Sequence, residues 1–338
     1  MKFDFCIGNP PYQEETENNG RQNPVYNLFM DAAYQVADRS VLITPGRFLF
    51  DAGQTPKAWN QRMLNDEHLK VLYYEPDGSV IFPNTDIKGG VVITFYNKKS
   101  HYNPIGVFTH FPELNSILQK VTPYIDKSIT TISIGAVPYR FTDILRREHP
   151  EFVELIGSSF DLRTNILDKL ENKLFFSSKN GVSDIQILGL HNKNREMMWI
   201  KSKYISTPKN FEKFKVFVPK SNGSGALGEV LSTPLVGQPL VGHTQSFISI
   251  GSFNSKNEAD ACYKYICSKF ARCLLGVLKV TQDNPPEKWK YVPLQDFTSN
   301  SDVDWSVSIP NIDRQLYKKY GLSPKEIEFI ETHVKEME

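Results

Sequence analysis

Phe3-Asp4-Phe5-Cys6-Ile7-Gly8-Asn9-Pro10-Pro11-Tyr12 is an apolar run that ends in a rigid turn. The run reads as a short buried strand over Lys2–Ile7. Two consecutive prolines fix φ and remove two backbone donors, and the first pushes Asn9 away from helical geometry. Carbonyls near such a turn lack their usual local partners. The Asn9 amide oxygen and a free carbonyl make a pair of acceptors, and Tyr12 adds a flat apolar face. That set suits a planar group bearing an NH2. The same residues would also serve as a plain strand-ending turn with a packed tyrosine.

The residues that follow decide between these readings. Gln13 to Pro24 is polar, with Glu14, Glu15, Glu17, Asn18, Asn19 and Gly20, and is expected as a mobile loop beside the turn. Tyr26, Phe29, Met30, Ala33, Tyr34 and Ala37 recur at helical spacing. Ser40–Thr44 reads as a second strand closed by Pro45-Gly46. Phe48–Leu64 reads as a helix interrupted at Gly53 and Pro56. Leu69–Tyr74 and Val91–Tyr96 read as strands, with a loop holding Ile81-Phe82-Pro83 between them. Strands alternating with helices imply an α/β fold, with a mostly parallel sheet covered on both faces. Ligands in such sheets sit at the carboxyl ends of strands. Asn9 and the Pro45-Gly46 turn both stand at such ends.

The chain has 338 residues, which suggests more than one domain. No run of eighteen apolar residues occurs, so no membrane span is expected, and the two residues ahead of Phe3 are too short for a signal peptide. The four cysteines, Cys6, Cys262, Cys267 and Cys273, form no Cys-x-x-Cys pair. Buried thiols in a reducing cytoplasm fit them better than zinc, and no metal is expected. The net charge of +1 hides an asymmetry: residues 161–290 carry 19 basic against 11 acidic side chains. That block suits a polyanion, although a mixed lysine surface gives the same count. Its candidate phosphate contacts are Lys193, Arg195, Lys201, Lys203, Lys209, Lys213, Lys215 and Lys220. Arg195, Asn192 and Asn194 are candidate base readers, or parts of a solvated loop.

Taken in order, these features resemble the amino-group adenine DNA methyltransferases of type II and IIG restriction–modification systems. The resemblance rests on the strand leading into Asn9-Pro10-Pro11-Tyr12, on the helix Tyr26–Ala37, and on Val41-Leu42-Ile43-Thr44-Pro45-Gly46-Arg47-Phe48. It also rests on Phe82-Pro83-Asn84-Thr85-Asp86-Ile87-Lys88-Gly89-Gly90-Val91. The tail is similar too, in Tyr291-Val292-Pro293-Leu294-Gln295-Asp296-Phe297, Asp304-Trp305-Ser306 and Leu316 to Ser323. The resemblance implies the C-terminal half of a Rossmann-like methyltransferase sheet in residues 1–125. A mixed α/β target-recognition domain over 126–300 and a short helical tail over 301–338 would follow. No Gly-x-Gly turn follows a suitable strand; Gly223-Ser224-Gly225 lies in the basic block and reads as a linker turn. The chain is therefore expected to be the C-terminal portion of a longer methylase.

The resemblance also implies a chemistry. A methyl group would pass from S-adenosylmethionine to the exocyclic amine of an adenine flipped out of double-stranded DNA. Asn9 and Pro10 would accept hydrogen bonds from that amine and lie beside the methyl donor, in the turn completed by Pro11. Tyr12 would stack on the base, and Phe82 would meet its opposite face or edge, or else fill the core. The main cofactor segment, and any nuclease, would come from a second chain or a missing N-terminal segment. Two alternatives remain: a DNA-recognition module or truncated methylase without catalysis, and an unrelated α/β enzyme with an ordinary turn.

Overall fold

The computed structural model describes residues 3–14, 23–83, 85, 87, 89–279 and 281–337. Most of the polar stretch expected as a mobile loop, residues 15–22, lies outside them, as do Asn84, Asp86 and Lys88. The chain divides into two compact units, residues 1–115 and 116–338, rather than at the expected boundary of 125. The segment 301–338, expected as a separate tail, is built into the second unit.

The first unit is a four-stranded sheet with helices. In chain order it runs β1 (Phe3–Gly8), α1 (Tyr26–Val36), β2 (Ala37–Pro45), a 3-10 turn (Gly46–Phe50), α2 (Lys57–Leu64), β3 (Leu69–Glu75) and β4 (Val91–Asn97). The spatial order is β1-β2-β4-β3. β1 and β2 pair in parallel, with Gly8 opposite Leu42. β4 is antiparallel to both β2 and β3, so β1, β2 and β3 share a direction and β4 inserts against it. This corrects the expectation of a mostly parallel sheet: of the three strand pairings only one is parallel. Among its described residues, the link between β3 and β4 carries a single helical turn, Gly78–Ile81, not a crossover helix.

The helices form because their apolar residues fall on one stripe. Tyr26, Met30, Ala33 and Tyr34 of α1 and Trp59, Met63 and Leu64 of α2 join Leu42, Leu69 and Val92 in one buried cluster. Both helices thus feed the same core. Alternation along β2 shows the other side: Ser40, Leu42 and Thr44 are buried, while Val41 and Ile43 are half-buried. Among the described residues the two helices lie in one layer, rather than on both faces as expected. Phe48–Leu64, read as an interrupted helix, is a 3-10 turn and a separate helix that starts after Pro56.

The second unit holds mixed α/β structure. Phe214–Pro219 pairs antiparallel with Leu235–Gly237 and with Phe247–Phe253. A second sheet contains β5 (Asp184–His191) and β6 (Asn194–Lys201), an antiparallel hairpin. Glu258–Val277, expected as one helix, is two: Lys256–Cys267 and Lys269–Gly276. Ser268 is extended and caps the second by accepting from the Ala271 amide. The carboxylate of Asp313 accepts from the Lys269 and Phe270 amides. The helix Pro324–His333 starts with a full capping box at Ser323 and Glu326. Glu326 also pairs with Lys120 at 2.6 Å, tying the tail into the unit. No helix among the described residues is long and apolar enough to cross a membrane.

Candidate active site

β1 delivers Asn9 to the carboxyl end of the sheet. Asn9 and Pro11 are exposed, while Pro10 and Tyr12 are half-buried. The chain leaving the turn is held by backbone bonds that the prolines cannot make. The Tyr12 carbonyl accepts from the Val25 amide at 3.1 Å, and the Glu14 amide donates to the Asn23 carbonyl at 3.0 Å. Gln13 and Pro24 form an antiparallel bridge between these bonds. Tyr12 is thereby pinned on its C-terminal side, and its ring packs against the core under α1.

Phe82, at the end of the Gly78–Ile81 turn, meets Tyr12 edge to face, with ring centroids 6.4 Å apart and planes at 73°. The two aromatic residues singled out from the sequence are therefore neighbours. Their T-shaped contact leaves no parallel slot between the rings. The Tyr12 hydroxyl is buried and has no hydrogen-bond partner among the described residues. Burial also raises its pKa, which keeps it a neutral phenol.

A small cavity of about 90 Å³ lies beside Tyr12, lined also by Gln13, Tyr26, Pro45, Arg47 and Gln54. Pro45 and Arg47 come from the end of β2 and its 3-10 turn, so this wall is built by the strand parallel to β1. That turn is close-packed. The Gly46 amide donates to the Gly90 carbonyl at 2.9 Å, and a Cβ at Gly46 would lie 2.8 Å from the Gly89 carbonyl oxygen. Only glycine lets the two segments approach this far. The reading of the sequence did not single out Arg47, Gln54 or Tyr26. Arg47 carried a usable signal: it follows the Pro45-Gly46 turn at a strand's carboxyl end.

The basic candidates of the second unit fare unequally. Lys193 sits at the tip of the β5–β6 hairpin and is exposed. Asn192 and Lys193 both have positive φ, 49° and 67°, as a two-residue turn of the primed type requires. Lys201 and Lys203 lie near Tyr204, with ammonium groups 6.0 and 5.0 Å from its ring. Lys203 is also bonded to Glu148 at 2.8 Å, and that carboxylate raises its pKa. Lys213 donates to the Asn254 side chain at 2.8 Å. Arg195 spends its guanidinium on the carbonyls of Thr233 and Ser232, at 2.6 and 2.9 Å. Lys215 is fully buried. Its ammonium donates to the carbonyls of Phe211, Lys213 and Gln238, and burial lowers its pKa to about 8. Lys215 therefore presents no charge at the surface, which corrects its place among the phosphate contacts. Lys209 is exposed and Lys220 is half-buried.

Comparison with known proteins bears on the first unit. The family model described as the Eco57I restriction-modification methylase matches residues 1–82. An uncharacterized adenine-specific methylase of Mycoplasma pneumoniae is 27% identical over 95 residues, covering 27% of this chain and 22% of that protein. Among solved structures, the type IIG restriction endonuclease BpuSI aligns at a TM-score of 0.33 and 10% identity, over 98% of this chain and 54% of that one. The type IIL restriction-modification enzyme MmeI, solved in complex with DNA, aligns at 0.33 and 10%, over 97% and 56%. The chain thus spans 22% of the curated relative. The segment that carries the Asn-Pro-Pro-Tyr turn, α1, β2 and Phe82 is the part of this chain that matches the Eco57I restriction–modification methylases.

Proposed function

We propose that this chain is the base-holding portion of a site-specific DNA adenine-N6 methyltransferase of a restriction–modification system. The observation that carries the reading is the Asn9–Tyr12 turn at the carboxyl end of β1, with Phe82 against Tyr12, inside the segment that matches the methylase family. The turn has the chemistry for an aromatic amine. Such an amine is a poor nucleophile because its lone pair is delocalised into the ring. Acceptors at both of its hydrogens favour a pyramidal nitrogen, which frees the lone pair. The Asn9 side-chain oxygen and the Pro10 carbonyl take these two places and act mainly at the transition state. Tyr12 stacks on the flipped base, worth roughly 1–3 kcal/mol, and Phe82 meets the base at its edge.

S-adenosylmethionine supplies an electrophilic methyl group when bound. Asn9 and Pro10 are the residues here that would lie beside it, and the exposure of Asn9 at the open end of β1 fits that role. The remainder of the cofactor site is assigned to a further polypeptide segment or a second chain that completes the sheet at β1. Support comes from that strand itself: Phe3, Phe5 and Ile7 are 51%, 44% and 77% exposed, an apolar row on an edge strand of the kind that marks an interaction surface. The same observation favours a second reading, in which this chain alone is a DNA-recognition module without catalysis. Lys193, Lys201, Lys203, Lys209 and Lys213 are proposed to contact DNA phosphates.

The test is methyl transfer in the enzyme reconstituted with its cofactor-binding portion. Asn9→Ala is expected to lower the rate about 10²–10³-fold while duplex binding changes little. Equal loss of both would show the turn to be structural only.

A further inference from the structure

We propose that Arg47 grips a backbone phosphate of the nucleotide whose base Tyr12 receives; the inference rests on the base-holding reading above. Arg47 and Tyr12 line the same cavity. They reach it from the ends of two parallel, hydrogen-bonded strands, which open on the same side of the sheet. A nucleotide turned out of a duplex brings its flanking phosphates with it. A cation within one nucleotide's reach of the base is therefore placed to meet one of them. Residues 1–115 carry 10 basic against 13 acidic side chains, so the general charge of this unit does not attract DNA. A local cation must do so.

The surroundings hold the Arg47 stem in place. A Cβ at Gly53 would come within 3.2 Å of both Cβ and Cδ of Arg47, and one at Gly89 within 2.6 Å of its Cγ. Both glycines have positive φ, +91° and +83°. Two left-handed glycines thus make a slot for the three methylenes, and the side chain loses little further freedom on binding. Arg47 also has an interaction partner in the fold. A guanidinium has five donors in a planar fork, so it can hold that partner and phosphate oxygens together, and its geometry matches phosphate better than an ammonium does.

The experiment measures binding of this chain to short duplexes holding one mismatched adenine, with a neutral methylphosphonate placed just 5′ or just 3′ of it. Wild type is expected to lose about tenfold in affinity for one of the two positions. Arg47→Met, which keeps the stem, is expected to bind the unmodified duplex about tenfold more weakly and to be indifferent to the methylphosphonate. Arg47→Lys is expected to keep part of the response and guards against misfolding of the first variant. An Arg47→Met protein as sensitive as wild type, or a wild type insensitive at both positions, overturns the proposal. Mismatched thymine in place of adenine tests the underlying reading separately. A wild type with no preference for adenine, or no binding to any duplex, overturns the base-holding reading and the phosphate grip with it. A preference for adenine without a methylphosphonate response overturns the grip alone.

Discussion

Lys215 carries its ammonium into an apolar interior, between the rings of Phe211 and Phe217 at 5.6 and 5.8 Å. Three backbone carbonyls accept from it, yet desolvation still lowers its pKa to about 8. The sign of the pH effect follows. Well below pH 8 both folded and unfolded chains hold the proton, and stability does not change with pH through this group. Between about 8 and the unfolded value of about 10.4 the unfolded chain binds more protons, so stability rises with pH. The full rise is roughly 3 kcal/mol. Urea unfolding at pH 7 and pH 9.5 is expected to show most of it as a difference between wild type and Lys215→Met. Identical pH dependence in the two proteins would mean that the lysine is not titrating in the fold. Nothing in the composition of the basic block separates Lys215 from Lys213. The separation comes from Val216, Phe217 and Val218, which are buried on both sides of the strand. Asn9 and Tyr12, by contrast, are marked in the sequence by the two prolines between them and Phe82 by the resemblance, and the structure brings the Tyr12 and Phe82 rings together.

At the scale of elements, the β5–β6 hairpin was not read from the sequence. Ile185, Ile187, Met198 and Ile200 alternate inward, but the turn between the strands is Asn192-Lys193, not the Asn-Gly that usually marks such a hairpin. Lysine at φ 67° costs about 1 kcal/mol relative to glycine. Strain held at an exposed loop tip is a pointer to use, and the proposed use is a phosphate. The two roles separate in one variant. Lys193→Gly is expected to raise stability by about 1 kcal/mol and to lower DNA affinity, with the salt slope reduced by about one. Unchanged DNA affinity would remove Lys193 from the phosphate contacts. Other elements were legible where a local signal was strong, as in the Ser323 capping box. The break at Ser268 was not, because two of the bonds holding it come from Asp313, 43 and 44 residues away, and no local window contains them.

At the scale of the molecule, the first unit's sheet presents an unusual boundary. β1 lies at the edge, bonded on one side to β2. Its Cys6 packs into the core, while Phe3, Phe5 and Ile7 point the other way and remain exposed. On α1, Leu28 and Phe29 are exposed as well. Soluble proteins protect edge strands with charge, proline or a covering element, and apolar patches of this kind ordinarily mark interaction surfaces. The alternation of strands and helices was legible in the sequence, but the exposure of Phe3, Phe5 and Ile7 was not, since an apolar residue reads as core until its neighbours are known. If a cofactor-binding portion completes the sheet here, Ile7→Asp separates folding from assembly. Removing an exposed isoleucine is expected to shift the isolated chain's stability by less than about 0.5 kcal/mol. In the reconstituted enzyme the same change buries an unpaired carboxylate at the junction, and methyl transfer is expected to be lost. The isolated wild-type chain should bind S-adenosylmethionine weakly or not at all by calorimetric titration, and micromolar binding would overturn the assignment of the cofactor site to another segment. A large loss of stability in isolated Ile7→Asp would instead show that the edge belongs to this chain's own core.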